Sequence, residues 1–184
     1  MPGGGAAAWG PVVARCGALG RAGVDFVLVR EKLLEAGELT RLVRAVVSAV
    51  RPGGTKVLVA QRVDVAVAAG ADGVHLSGQG GELGPQQVRR VMPGAVVSVS
   101  CHGVEEVRRA AEEGASMVLF APVFGKEVDG VEVVAGVGIA RLREACGAAG
   151  KVPVLALGGV WEGNAGTCVA VGAAGVAGIR MFFG

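Results

Sequence analysis

The sequence predicts an α/β fold of the TIM (β/α)8 type, with its first strand absent or irregular. Three observations predict it. First, a helix-like stretch closing in Gly-Ala or Ala-Gly is followed at once by a β-branched run. This happens at Ala22-Gly23-Val24-Asp25-Phe26, Gly70-Ala71-Asp72-Gly73-Val74, Gly114-Ala115-Ser116-Met117-Val118 and Gly172-Ala173-Ala174-Gly175-Val176. The Gly supplies the left-handed residue that closes a helix, and the Val-rich run reads as a strand buried on both faces. Second, strands that alternate with helices need right-handed parallel crossovers. Third, 184 residues with 52% hydrophobic content suffice for one domain with a sizeable core. A full eight-stranded barrel usually takes about 200 residues or more. In this architecture the chemistry sits at the C-terminal ends of the strands.

The elements follow in order. Residues 1–25 read as loop plus one helix, about Ala8–Ala22, with Pro11 in its first turns. No strand is read before Phe26 unless residues 5–14 form an irregular one. Strands are predicted at Phe26–Arg30, Lys56–Ala60, Gly73–Ser77, Val96–Ser100, Met117–Val123, Val152–Leu157 and Gly175–Arg180, each a short run rich in Val, Leu or Ile. Helices fall between them. Leu33–Val50 sets Leu34, Leu39, Leu42, Val43, Val46 and Val50 near helical spacing. Val104–Glu113 places Val104, Val107 and Ala111 on one side. Shorter helices are predicted at Val63–Ala69, Pro85–Val91, Ile139–Cys146 and about Ala165–Val171, and Pro85 suits a first helical turn. No low-complexity linker divides the chain, so residues 1–184 are read as one domain.

Composition excludes several function classes. The 18 basic and 16 acidic residues are well mixed and leave a net charge of +2, which is neither a nucleic-acid footprint nor a polybasic membrane patch. With no Tyr, five Phe and two Trp, a stacking platform for single-stranded nucleic acid is not expected. Cys16, Cys101, Cys146 and Cys168 show no CxxC spacing, so neither a zinc site nor a redox pair is expected. They read as reduced thiols of a cytoplasmic protein. Met-Pro-Gly-Gly-Gly at the start lacks a basic n-region and a leader-like apolar segment. The longest uncharged stretch, Gly163 to Ile179, is too rich in Gly and polar residues for a membrane span.

The strand ends carry a recognisable series. Val29-Arg30-Glu31-Lys32 closes one strand. Gln61-Arg62-Val63-Asp64 follows the next, and Gly73-Val74-His75-Leu76 the one after. Ser98-Val99-Ser100-Cys101-His102, Val118-Leu119-Phe120-Ala121-Pro122-Val123-Phe124 and Pro153-Val154-Leu155-Ala156-Leu157-Gly158-Gly159-Val160 continue it. In this order and at these spacings the chain resembles the thiamine-phosphate synthase/TenI superfamily, from about Cys16 to the C-terminus. The resemblance implies a (β/α)8 barrel handling thiazole and pyrimidine phosphates in thiamine biosynthesis, and it makes the missing strand the family's first. The synthase joins a pyrimidine diphosphate to a thiazole phosphate with magnesium. TenI relatives studied as enzymes aromatise the thiazole phosphate by proton transfer.

Departures from the synthase pattern steer the expected activity. Magnesium needs carboxylate ligands to neutralise a pyrophosphate leaving group. The family's Asn-Asp-Arg is Ala60-Gln61-Arg62 here, and its Asp past His-Leu-Gly-Gln is not matched in His75-Leu76-Ser77-Gly78-Gln79-Gly80-Gly81-Glu82. Glu82 could replace that Asp only after a shift of the loop. The Thr-Pro-Thr-Lys loop is Gly125-Lys126-Glu127-Val128. The expectation is therefore a metal-free thiazole tautomerase of the TenI type, an isomerase needing no cofactor. The synthase, with magnesium, is the alternative, and a non-catalytic thiazole-phosphate-binding or regulatory barrel is another.

For the tautomerase, His102 is the expected proton carrier, since imidazole titrates near neutrality; it lies at the family's Ser-Ala-His motif. Arg30 and Lys32 would hold the substrate carboxylate or adjoining polar edge, and Ser100 is a polar ligand contact. Gly158, Gly159, Ile179 and Arg180 would hold the phosphate at the loops after the last two strands. Gln61 and Lys126 are further candidates. His75 reads as a core or strand-end residue, and Cys101 as packing. The expected partners are a small thiazole phosphate and further copies of the same chain.

Overall fold

The structure, a computed structural model, describes residues 9–78, 83–128 and 131–183; the side chains of residues 126–128 and 131–133 lie outside the description. The chain divides into two compact units, the first reaching to His75 and including Val88–Val96, the second formed by Leu76–Gln87 and Val97 onward.

The first unit contains α1 (Gly10–Arg21), β1 (Phe26–Val29), α2 (Ala36–Val50), β2 (Lys56–Ala60), α3 (Val63–Ala69), most of β3 (Gly73–Leu76) and the second half of α4 (Pro85–Val91). Strands β1, β2 and β3 lie side by side in chain order and parallel. Their β-branched runs are what buried parallel strands require, and β2 is buried from Val57 to Val59. The β1 residues stay half-exposed, as befits an outer strand of this unit. Helix α2 buries Leu39, Leu42, Val43, Val46, Val47 and Val50, a stripe at helical spacing that faces the core. It starts three residues later than its apolar run suggests. The Glu31 carboxylate accepts the Leu33 N–H at 3.0 Å, which commits that stretch to a turn.

The second unit contains β4 (Val96–Cys101, from Val97), α5 (Val104–Glu112), β5 (Met117–Phe120), a hairpin of β6 (Lys126–Val128) and β7 (Val131–Val134), α6 (Gly138–Ala148), β8 (Val154–Ala156), α7 (Glu162–Ala170), β9 (Gly175–Val176) and α8 (Arg180–Phe183). Here β4, β5, β8 and β9 are parallel neighbours in that order, and β6 pairs antiparallel with β7. Helix α5 buries Val107 and Ala110, with Val104 and Ala111 half-buried beside them on the same side. No helix among the described residues is long and apolar enough to cross a membrane.

The repeated junction has a concrete structural role. Gly70 closes α3 at φ +69°, and Gly23, Gly114 and Gly172 take the same left-handed conformation at the other three copies. The residue two positions beyond Gly70, Asp72, accepts the Val57 N–H with its carboxylate at 2.8 Å. Ser116, two positions beyond Gly114, accepts the Val97 N–H with its hydroxyl at 3.0 Å. The motif thus ends a helix and ties the incoming strand to the previous one.

Further predicted boundaries change: β5 stops at Phe120 rather than Val123, and β8 spans Val154–Ala156 rather than Val152–Leu157. The last strand stops at Val176, so Ile179 and Arg180 do not close it. Ala177 N–H makes a last bond to the Ala156 carbonyl, after which the Ile179 carbonyl accepts from Phe182 and Phe183 and the chain turns into α8. Helix α7 begins at Glu162 rather than Ala165, because the Asn164 side chain supplies its cap. The β6–β7 hairpin occupies a stretch to which the sequence reading assigns no element.

Candidate functional site

In the first unit the strand ends carry Arg30 and Gln61. Arg30 directly follows β1 and is exposed, as is Lys32. Gln61 follows β2 with φ +60°, a left-handed conformation that a side chain rarely adopts, while its N–H bonds the His75 carbonyl at 2.8 Å. A residue held in such a conformation at a strand end marks a position fixed by its surroundings. Arg62, next in sequence, is engaged with Asp64 through two bonds of 2.9 and 2.7 Å. That pairing holds the Asp64 carboxyl below its ordinary range.

His75 is 8% exposed at the end of β3. Burial, with a smaller contribution from the nearby Arg30 charge, lowers its pKa from the usual 6.5 to about 4. The imidazole is therefore neutral in the folded protein at neutral pH, as a core residue should be. Unfolding releases it to take up a proton between about pH 4 and 6.5, so stability falls on acidification through that window and rises again with pH. The shift corresponds to about 3 kcal/mol once both limits are passed. Urea unfolding of wild type against His75→Gln, followed from pH 7 to pH 4, is expected to show this slope in the wild type and lose it in the variant.

In the second unit, β4 delivers Ser100, half-buried, and then His102, exposed. Two contacts fix His102. Its backbone N–H donates to the Glu106 carboxylate at 2.7 Å, and its ring Nδ1 lies 2.7 Å from the Ala121 carbonyl just past β5. A carbonyl only accepts, so Nδ1 carries the hydrogen and the neutral ring keeps its lone pair on Nε2. Glu106 stands in the first turn of α5, where a carboxylate suits the helix dipole. Gly78 comes within reach of the same corner: a Cβ there would lie 2.2 Å from the Ser100 carbonyl and 3.4 Å from Glu106 Oε2. Cys101, between Ser100 and His102, is buried, and its thiol is pushed up to about 12 by burial and then by Glu106. It is packing, as expected. All four cysteines are free.

Gly158 and Gly159 follow β8 with φ +92° and +62°. Added Cβ atoms would lie 2.6 Å from Pro122 Cα and 2.7 Å from Phe124 Cβ. Val123 and Phe124 N–H donate to the Leu157 and Gly158 carbonyls at 2.9 and 3.0 Å, lacing the loop after β5 to the loop after β8. Both glycines are thus required by packing, and the approach they permit also leaves bare backbone at a strand end. Ile179, 78% exposed, and Arg180 sit at the start of α8, beyond β9. The side chain of Lys126 and the whole of Glu82 lie outside the described residues.

Among the described residues no three His, Cys, Asp or Glu side chains group to hold a metal. At the segment where the family supplies a magnesium ligand, Gln61 offers an amide and Asp64 is bound to Arg62. The described residues therefore do not fit that cation. A groove of about 500 Å³ lies elsewhere, between α1 and α2, lined by Trp9, Val13, Arg21, Arg41, Ala45 and Ala49. None of the predicted site residues lines it. The residues that sequence reasoning missed are Glu106, which fixes His102, and Asn164, which caps α7. The spacing of Glu106 four residues past His102 was the available signal.

Comparison with known proteins separates the readings. The family model described as thiamine monophosphate synthase matches residues 10–182. The thiamine-phosphate synthase of Methanoculleus marisnigri is 37% identical over 175 residues, covering 94% of this chain and 79% of that protein. That of Methanoregula boonei is 37% identical over 163 residues, covering 88% and 74%. The solved thiamine phosphate pyrophosphorylase of Pyrococcus furiosus superposes with a TM-score of 0.81 at 25% identity, covering 95% of this chain and 82% of that one. The fold class is accordingly the TIM-type α/β fold, with seven parallel strands among the described residues. The expectation of a TenI-type tautomerase is overturned: the relatives matched over most of the chain bear the names of synthases. Loss of two metal-ligand positions argued against one arrangement of magnesium, but it supplied no positive signature of isomerisation. From its match along nearly the whole length and from these relatives, the chain belongs to the thiamine-phosphate synthase family.

Proposed function

We propose that this chain is a transferase that joins a pyrimidine diphosphate to a thiazole phosphate, forming thiamine phosphate. The observation that carries the proposal is 37% identity to a thiamine-phosphate synthase across 94% of the chain. In this reaction the thiazole nitrogen lone pair forms a C–N bond to the pyrimidine methylene. The methylene C–O bond breaks, and its electron pair leaves with pyrophosphate. No proton transfer is needed for that step, so the proton-carrying role expected of His102 does not apply to it.

The demand on the protein is charge: pyrophosphate gains negative charge as the C–O bond opens, and preset cations stabilise it. Arg30 supplies a planar guanidinium at the end of β1, suited to phosphate oxygens, and Lys32 adds a mobile ammonium. The Gly158-Gly159 turn offers backbone to the phosphate ester of the thiazole. Ser100 and His102 supply polar groups at the end of β4. The test is product analysis by mass spectrometry after incubation with both substrates, with and without a divalent metal. Thiamine phosphate formed only when both substrates are present supports the proposal. Saturable binding of the thiazole phosphate with no product overturns it and leaves a binding protein.

A further inference from the structure

The Asn164 side chain makes two bonds, both reaching back along the chain. Its Oδ1 accepts the Trp161 N–H at 2.8 Å, and its Nδ2 donates to the Gly159 carbonyl at 3.0 Å. The first bond caps α7. The second does something the helix does not need: it fixes the plane of the peptide between Gly159 and Val160. A trans peptide is planar, so holding its carbonyl oxygen also sets the direction of the Val160 N–H on the other side. The preceding peptide is held in the same way, since the Gly158 carbonyl accepts the Phe124 N–H at 3.0 Å, which sets the Gly159 N–H. Gly159, at φ +62°, would otherwise be among the freest residues of the chain.

We infer that Asn164 is the positioning residue of the turn after β8, holding the Gly159–Val160 peptide so that its N–H is a preset donor to the phosphate ester of the thiazole substrate. The inference rests on the reading that this turn holds that phosphate. Asn164 touches no substrate and acts through the backbone that it orients. Its hydrogen bonds are local, spanning three and five residues. Their loss therefore loosens one turn and leaves the strand ladder intact.

Two variants separate the two bonds. Asn164→Ala removes both; Asn164→Asp keeps the acceptor for Trp161 and removes the donor to Gly159. Calorimetry with the thiazole phosphate and with its dephosphorylated alcohol reads the phosphate contribution. Loss of a preset donor is expected to raise the Kd for the phosphate about tenfold in both variants while the Kd for the alcohol changes less than about twofold. KM for the pyrimidine diphosphate is expected to stay within about twofold, and Asn164→Asp to keep the wild-type melting temperature because the cap survives. A purely structural role would instead weaken both ligands together with stability. Amide exchange over Gly158–Trp161 in the ligand-free protein is expected to speed up in Asn164→Ala while β8 stays protected. An Asn164→Ala protein with unchanged phosphate affinity overturns the inference. If the wild type binds phosphate and alcohol equally well, the site reading fails and the inference with it; a wild type that prefers the phosphate, with that preference kept in Asn164→Ala, overturns the inference alone.

Discussion

Gly73→Ala is expected to destabilise the protein by about 3 kcal/mol or more, at or beyond the upper end of ordinary overpacking. Gly73 opens β3 and is buried. A Cβ built there lies 1.8 Å from the Val96 carbonyl oxygen and 2.8 Å from the Val96 nitrogen. Both obstacles are backbone, so no rotamer change relieves the clash. Val96 is itself anchored, its N–H donating to the Asp72 carbonyl at 3.0 Å. The Ala methyl can enter only by pushing the chain at Val96 out of place. Urea unfolding checks the size. Gly166→Ala is the control of opposite sign: it lies inside α7 with nothing within 4 Å of an added Cβ. There the gain in helix propensity is about 0.5–1 kcal/mol. Equal midpoints for Gly73→Ala and wild type would contradict the packing described.

Arg30→Ala is expected to lower kcat/KM for coupling by about 10²–10³-fold, the usual loss when a preset group facing developing charge is removed. The guanidinium meets phosphate oxygens with a rigid fork, so Arg30→Lys should recover only part of the rate. The effect belongs to the pyrimidine diphosphate, and binding of the thiazole phosphate should be little changed. A second readout is independent of turnover. Arg30 contributes to the depressed pKa of His75, so removing it should let that pKa rise from about 4, as NMR titration would record. Burial is the larger cause and persists, so the recovery is partial. A variant with full activity would remove Arg30 from the reaction; an unmoved His75 would mean the two groups do not sense each other.

Most of the fold was legible because its signals are local and repeated. Gly70 and its counterparts announce a helix end, and the Val runs behind them announce strands; Lys56–Ala60 and Val63–Ala69 fall where the sequence places them. The failures lie where a neighbour decides. The apolar run through Ile179 does not say that the ladder ends at the Ala177 bond to Ala156. The start of α7 depends on Asn164 reaching back to Trp161, a contact made only in the folded turn. The β6–β7 hairpin had a signal, Asp129-Gly130 between two short runs, two residues whose own placement lies outside those described.

What was legible is the position of the candidates within each unit: Arg30 and Gln61 follow strands of the first, and Ser100, His102 and Gly158 end or follow strands of the second. The choice of chemistry was not. An imidazole held by the Ala121 carbonyl has a defined tautomer, yet that geometry is compatible with moving a proton and with simple ligand contact. The two positions where the resemblance implies carboxylates bear on one magnesium arrangement and leave the reaction itself open. Similarity along most of the chain, which integrates many positions, shows the family and overturns the tautomerase expectation that a few loop residues suggested.

The most direct measurement is to offer one protein preparation both reactions, coupling and thiazole tautomerisation, and count the pyrophosphate released. The proposal predicts one pyrophosphate for each thiamine phosphate formed, with release dependent on the thiazole phosphate. Tautomer turnover with no pyrophosphate released would contradict it.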